Sequence, residues 1–188
     1  MESNITTVKP LPIVGYGHPA LREKCLPIET AKEAKEIANK LRATLHPITT
    51  GVGLAANQIG ITKTAFLMKD NNRNEIIVIN PTIKKVRGNQ VFSEGCLSIP
   101  SVVGNVERPE IMDIIFYDEN MNKMQMRLRK FEAVVASHEL EHGLGILFID
   151  RLTKEGREKI ADQLAKIEQG KIQTHYDMIF PTSVSPQV

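Results

Sequence analysis

Residues 138–142 read His-Glu-Leu-Glu-His, and no other stretch restricts the fold of this chain as much. On a helix the imidazoles at i and i+4 stand on one face. Phe131, Val134 and Val135 precede them at helical spacing, so the pattern predicts a helix from about Lys130 to Gly143. Its inward side begins apolar and ends in histidines, which makes it an interior element around which the others are arranged.

Two further helices flank it. Thr30 and Glu33 have capping-box spacing, and Ala34, Ile37, Ala38, Leu41 and Leu45 follow on one face until Pro47 stops the helix. The other starts at an N-cap, Thr153, and runs through Ile160, Leu164 and Ile167 to Gly170, which suits a left-handed end. Between the first two helices the period shortens to β-type runs, Thr64 to Met68, Glu75 to Ile79 and Met112 to Tyr117. Met124, Met126 and Leu128 alternate with Gln125, Arg127 and Arg129, a half-buried strand returning onto the last run through a turn at 118–122. Strands are not interleaved one by one with helices, so the expected class is α+β: antiparallel β-sheets packed around the central HExxH helix, with an N-terminal and a C-terminal helix.

A chain of 188 residues, 41% hydrophobic and 24% charged, suits one domain over 1–188. The net charge of +2 excludes a strong nucleic-acid or anionic-membrane field. Cys25 and Cys96 form no CxxC pair, and no run of eighteen apolar residues occurs, so a reducing, cytoplasmic setting without a membrane span is expected. Residues 171–188, with Tyr176, Met178, Ile179 and Phe180, form a tail of no assigned role that would pack on the body or on a second subunit. Monomer and homodimer both stay open.

Two imidazoles leave a catalytic metal one protein ligand short, since such sites usually offer three ligands and a position for water. The long pattern HExxHxxGxxH fails at Phe148. Glu155, Glu158 and Glu168 fall on the exposed third helix and are poor donors. Cys96, in Glu94-Gly95-Cys96-Leu97-Ser98, is the better third ligand, because a thiolate binds borderline metals and the glycine permits close approach. Cys25 has no partner motif and is read as structural or free. Gly51-Val-Gly-Leu-Ala-Ala-Asn-Gln-Ile-Gly60 fits a dinucleotide fingerprint poorly, with no strand before it, and on its own reads as a tight turn with positive-φ glycines.

Taken in order, Gly51-x-Gly-Leu-Ala-Ala-x-Gln58, Glu94-Gly-Cys-Leu-Ser98 and His138-Glu-x-x-His142 resemble the three signature motifs of peptide deformylase, in its compact bacterial form. His18-Pro-Ala-Leu-Arg22, Ile79-Asn80-Pro81 and Leu147-Phe-Ile-Asp-Arg151 extend the likeness over roughly residues 10 to 170. The family commonly has Gln and Asp before its two histidines, where this chain has Ser137 and Glu141; its Arg seven residues after the cysteine is Val103 here.

The resemblance implies removal of formate from the N-terminal formyl-methionine of new polypeptides near the ribosome, without sequence-specific nucleic-acid binding. It implies one divalent ion on Cys96, His138 and His142, Fe²⁺ in the cell, with Zn²⁺, Ni²⁺ or Co²⁺ able to substitute. Glu139 is then general base and acid, and the Gln58 amide and Leu97 backbone N–H stabilise the developing oxyanion. Val52, Phe92, Phe131, Val134 and Val135 surround the methionine, Gly53 offers backbone hydrogen bonds, and Glu94 is a further substrate-binding residue. Two rival readings are a general HExxH metallopeptidase with Glu155 or Glu158 as third ligand, and a non-catalytic metal or redox sensor built on Cys96.

Overall fold

The computed structural model describes residues 8–181. The chain runs β1 (Ile13–Val14), α1 (Ala31–Leu45), β2 (Gly53–Ala55), β3 (Ala65–Lys69), β4 (Glu75–Cys96), β5 (Ile99–Tyr117), β6 (Lys123–Arg129), α2 (Phe131–His142), α3 (Lys154–Lys159), α4 (Ala161–Glu168) and β7 (Met178–Ile179). The architecture is α+β, with β2 to β6 forming one antiparallel sheet in the order β2-β3-β4-β5-β6. No helix among the described residues is long and apolar enough to cross a membrane.

Local chemistry accounts for most boundaries. Thr30 Oγ1 accepts the Glu33 N–H at 3.2 Å, satisfying an otherwise free donor at the start of α1, and Ala34, Ile37, Ala38, Leu41 and Leu45 are buried as their spacing predicts. At 118–122 Asp118 Oδ1 accepts the N–H groups of Asn120 and Asn122, an Asx turn that sets the β5–β6 register with Tyr117 opposite Lys123 and Met112 opposite Leu128. Leu128 is buried but Met124 is exposed, so only the inner end of β6 is covered.

Three expectations need correction. The strands expected at 75–79 and 112–117 are only the ends of two long arms, β4 and β5, paired from Ile79–Tyr117 to Cys96–Ile99. The single helix expected from Thr153 to Gly170 is broken at Ile160, whose N–H bonds back to the Arg157 and Glu158 carbonyls. That break lets Ile160, Leu164 and Ile167 enter the core while α3 buries nothing. The glycines at 51 and 53 do not take positive φ; Gly60 does, at +76°, closing the turn Ala56–Ile59.

The tail packs on the body. β7 pairs with β1 in parallel, Ile13 opposite Met178 and Val14 opposite Ile179. Residues 182–188 of the tail, and 1–7 of the expected domain, lie outside the described residues.

Candidate active site

α2 is buried on most of its circumference, with Ala133, Val134, Val135, Ala136, Ser137, Glu139 and His142 all inaccessible. It contacts β2, β3, β5 and β6, the enclosure that a helix with an inward histidine edge requires. Its last turn is anchored through the backbone, where Asn57 Nδ2 donates to the His142 carbonyl at 2.7 Å.

Cys96 reaches this helix through an irregularity in the β4–β5 hairpin. Gly95 pairs with Val103 but Cys96 pairs with Ile99, so three residues of β5 are extra, and Ser101 among them has a φ of +62°. Such a bulge turns the strand and re-aims a side chain. The two-residue turn Leu97–Ser98 is held by its carbonyls: Tyr16 N–H donates to Ser98 O at 2.8 Å, and the Tyr176 hydroxyl donates to Leu97 O at 2.8 Å.

Cys96, His138 and His142 are thereby brought together, with one ligand atom from each lying within 4.8 Å of the others. His142 Nε2 stands 3.3 Å from both Cys96 Sγ and His138 Nε2. His138 Nδ1 faces Glu94 Oε2 at 3.0 Å, which leaves Nε2 as the nitrogen aimed into the cluster. Glu155, Glu158 and Glu168 lie on α3 and α4 and take no part in this cluster.

Two buried glutamates flank the trio in different ways. Glu94 accepts from Arg108 Nε at 2.6 Å and Nη2 at 2.8 Å, and Arg108 Nη1 continues to Glu141 at 2.8 Å. Burial alone would raise Glu94, but Arg108 and His138 hold it below the usual glutamate range. Glu94 borders the cleft expected for substrate, yet its carboxylate is fully engaged by these partners and not free for a substrate side chain. Glu139 has no such company. Its Oε2 lacks a hydrogen-bond partner among the described residues, and burial pushes its pKa up to about 7.

Burial favours a neutral His138, but the Cys96 sulfur and Glu94 outweigh it and raise its pKa well above that of a free imidazole. Burial, with His138 adding to it, holds His142 well below. Cys25 is buried elsewhere with its thiol raised to about 11 by desolvation, so it is an inert packing residue.

Gln58 is buried beside the cluster. Its Oε1 accepts the Ala55 N–H at 2.8 Å, which orients Nε2 to face Cys96 Sγ at 3.3 Å and Ser98 Oγ at 3.2 Å. Gly53 lies at the free edge of the sheet on β2, and a Cβ there would meet the Glu139 carboxylate, which any side chain at this position would have to displace. A cleft of about 430 Å³ opens here, lined by Val52, Gly53, Gln58, Phe92, Phe131, Val134 and Val135 together with the trio's Cys96 and His138. The Phe92 and Phe131 rings pack at 5.6 Å.

Residues 10–158 match the family model for polypeptide deformylase. The chain belongs to the polypeptide deformylase family. A peptide deformylase of Chlorobium limicola is 32% identical over 93% of this chain and 98% of its own length, and one of Christiangramia forsetii is 35% identical over 92% and 97%. Among solved structures, the peptide deformylase of Thermus thermophilus superposes with a TM-score of 0.81 at 34% identity, covering 86% of this chain and 99% of that one. That of Legionella pneumophila gives 0.80 at 27%, covering 88% and 99%. Family and fold support a hydrolase that deformylates N-terminal formyl-methionine, and the trio gives it a cluster able to hold a metal ion.

Motif reading missed Asn57, Arg108, Tyr16 and Tyr176. Arg108 itself carries no local signature, although its partners Glu94 and Glu141 lie inside two of the motifs. Tyr176 does have one: Ile172, Thr174, Tyr176, Met178 and Phe180 are half-buried and alternate with exposed residues, a period-2 strap.

Proposed function

We propose that this chain hydrolyses the formyl–nitrogen bond of N-formylmethionyl peptides with a divalent cation held by Cys96 Sγ, His138 Nε2 and His142 Nε2. The donor set fits such a cation: one sulfur and two ring nitrogens converge in a buried place, with the second nitrogen of His138 fixed by Glu94. When bound, the cation supplies Lewis-acid activation of water and of the formyl oxygen at neutral pH.

The protein's own groups do the rest. Glu139, buried with one oxygen unpaired, accepts the proton of the attacking water. As the oxygen adds to the formyl carbon, the Gln58 amide N–H and the Leu97 backbone N–H donate to the carbonyl oxygen where charge develops; each such donor typically lowers the barrier by about 3 kcal/mol. Glu139 then delivers its proton to the amine nitrogen as the carbon–nitrogen bond breaks, leaving formate and a free methionyl terminus. Glu94 acts at one remove by fixing the ring of His138.

The methionine side chain occupies the apolar part of the cleft formed by Val52, Phe92, Phe131, Val134 and Val135, which favours unbranched apolar first residues. The peptide backbone runs beside β2, taking hydrogen bonds at Gly53 as an added strand. Fe²⁺ is the proposed ion in the cell, Zn²⁺, Ni²⁺ and Co²⁺ the substitutes. The single observation that carries this reading is the convergence of Cys96 with the α2 histidines beside a buried glutamate with one free oxygen. Formate release from a formyl-Met peptide by anaerobically purified protein, with metal analysis of the same sample, tests it. Release that tracks divalent metal content is the expected result, and its absence in metal-loaded protein contradicts the assignment.

A further inference from the structure

The family match ends at residue 158, yet the cleft has a wall made later in the chain: Gln173, Thr174, His175 and Tyr176 line it together with Cys96, Leu97 and Pro100–Val103. This wall is a strap with two anchored ends. Upstream, Gly170 turns at a φ of +67° against the Phe180 ring, and Ile172 packs on the core cluster containing Ile99, Val102 and Phe148. Downstream, Met178 and Ile179 pair with β1. Between the anchors, Thr174 Oγ1 donates to Tyr176 O at 2.6 Å, and the half-buried Tyr176 donates its hydroxyl to Leu97 O, next to the ligand candidate Cys96. Gln173 and His175 alternate with these residues and are exposed, and the His175 ring packs edge-on to Tyr176 at 5.0 Å.

The two parts of the cleft differ in chemistry. The part formed by Val52, Phe92, Phe131, Val134 and Val135 is apolar and, on the reading above, takes one side chain. The strap is polar along its open side, which suits a peptide backbone and side chains bound for solvent. We infer that residues 173–176 form the subsite for the second and third residues of the peptide substrate, with Gln173 and His175 as contacts and Tyr176 as the positioning residue that pins the strap to Leu97. This rests on the peptide-deformylase reading above, and a comparison of substrate lengths separates the two.

Formyl-methionine amide ends before the strap, whereas a formyl-Met-Ala-Ala-Ser peptide extends along it. The wild-type protein is expected to release formate from both, with a lower KM for the longer one. Tyr176→Phe keeps the ring and removes the pin. It is expected to raise the ratio of the tetrapeptide KM to the amide KM about fivefold, the factor given by the net worth of one hydrogen bond, any change common to both substrates coming from the Leu97 turn that the same hydroxyl holds. The joint Gln173→Ala and His175→Ala change, at exposed positions, is expected to do the same and to re-rank peptides differing at the second and third residues. Binding of the intact tetrapeptide to the Glu139→Gln protein, with and without Tyr176→Phe, supplies a readout without turnover and should show the same fivefold loss. Equal effects on both substrate lengths, or no effect of either set of changes on the tetrapeptide, overturn the strap subsite while leaving the deformylase reading intact. Failure of the metal-loaded wild-type protein on both substrates overturns that reading itself.

Discussion

Glu94 and Glu139 line the same cleft as Cys96 and His138, each 5% exposed, and their surroundings drive them in opposite directions. Glu94 lies on β4 where Arg108 of the paired strand meets it with two hydrogen bonds, and its pKa is held below the usual glutamate value. Glu139 lies on α2 against a glycine, with one oxygen unpaired and a pKa pushed to about 7. Equal burial of the same side chain therefore yields a fixed charge in one place and an exchangeable proton in the other, and the partner supplied by the neighbouring element decides which. The fixed charge orients a ligand. The exchangeable proton does the chemistry.

This division can be broken most sharply at Glu139. Glu139→Gln should leave the protein folded and metal-loaded but lower kcat by on the order of a thousandfold, as loss of a general acid–base does; steady-state formate release with metal analysis checks it, and activity within tenfold of wild type removes the proton-transfer role. Glu94→Gln should instead lower cation affinity by about 10- to 100-fold and lower stability by less than the roughly 3–5 kcal/mol of a fully unpaired buried charge, because Arg108 loses one of its two carboxylate partners and keeps Glu141. The sign with pH is fixed. A carboxylate held below its ordinary value of 4.5 stabilises the fold above that pH and loses the contribution as pH falls through the folded value, so the gap between wild type and Glu94→Gln in urea midpoint should narrow in acid.

Smaller effects sharpen the contrast. Gly53→Ala is expected to fold normally, since Gly53 does not take positive φ, yet to lower kcat about tenfold by displacing the Glu139 carboxylate, less than the hundredfold that a full 1 Å misplacement can cost. For the wild type, the acid limb of kcat/KM should inflect below about 7, because bound cation adds positive charge that favours ionised Glu139; activity is present above that inflection and lost as pH falls through it. A limb that persists unchanged in Gly53→Ala and Glu139→Asp assigns the titration to another group.

What was legible in the sequence follows from how local each signal is. HExxH places two imidazoles by helix geometry alone, and Thr30, Asp118 and the apolar spacing of α1 fix their elements through short-range contacts. The long arms of β4 and β5 were not legible, because residues 82–93 are mostly exposed and Pro81, Gly88, Pro100, Gly104 and Pro109 interrupt any alternation. Their strand state comes from pairing across the hairpin. Cys96 could be nominated by its motif, but its approach to α2 depends on the bulge at Pro100–Val102. The Glu94–Arg108 pair, fourteen residues apart, exists only once that hairpin has formed. Tyr176 was named only as part of an apolar tail, and its half-buried alternation gains meaning from Leu97, far upstream.

The claim on which the rest depends is that Cys96, His138 and His142 bind one ion together. X-ray absorption at the metal edge, on protein reconstituted with one equivalent of Zn²⁺, tests it directly. The expected coordination sphere contains one sulfur at about 2.3 Å and two ring nitrogens at about 2.0–2.1 Å, with the sulfur lost in Cys96→Ser. A sphere of nitrogen and oxygen only, unchanged by that substitution, contradicts it.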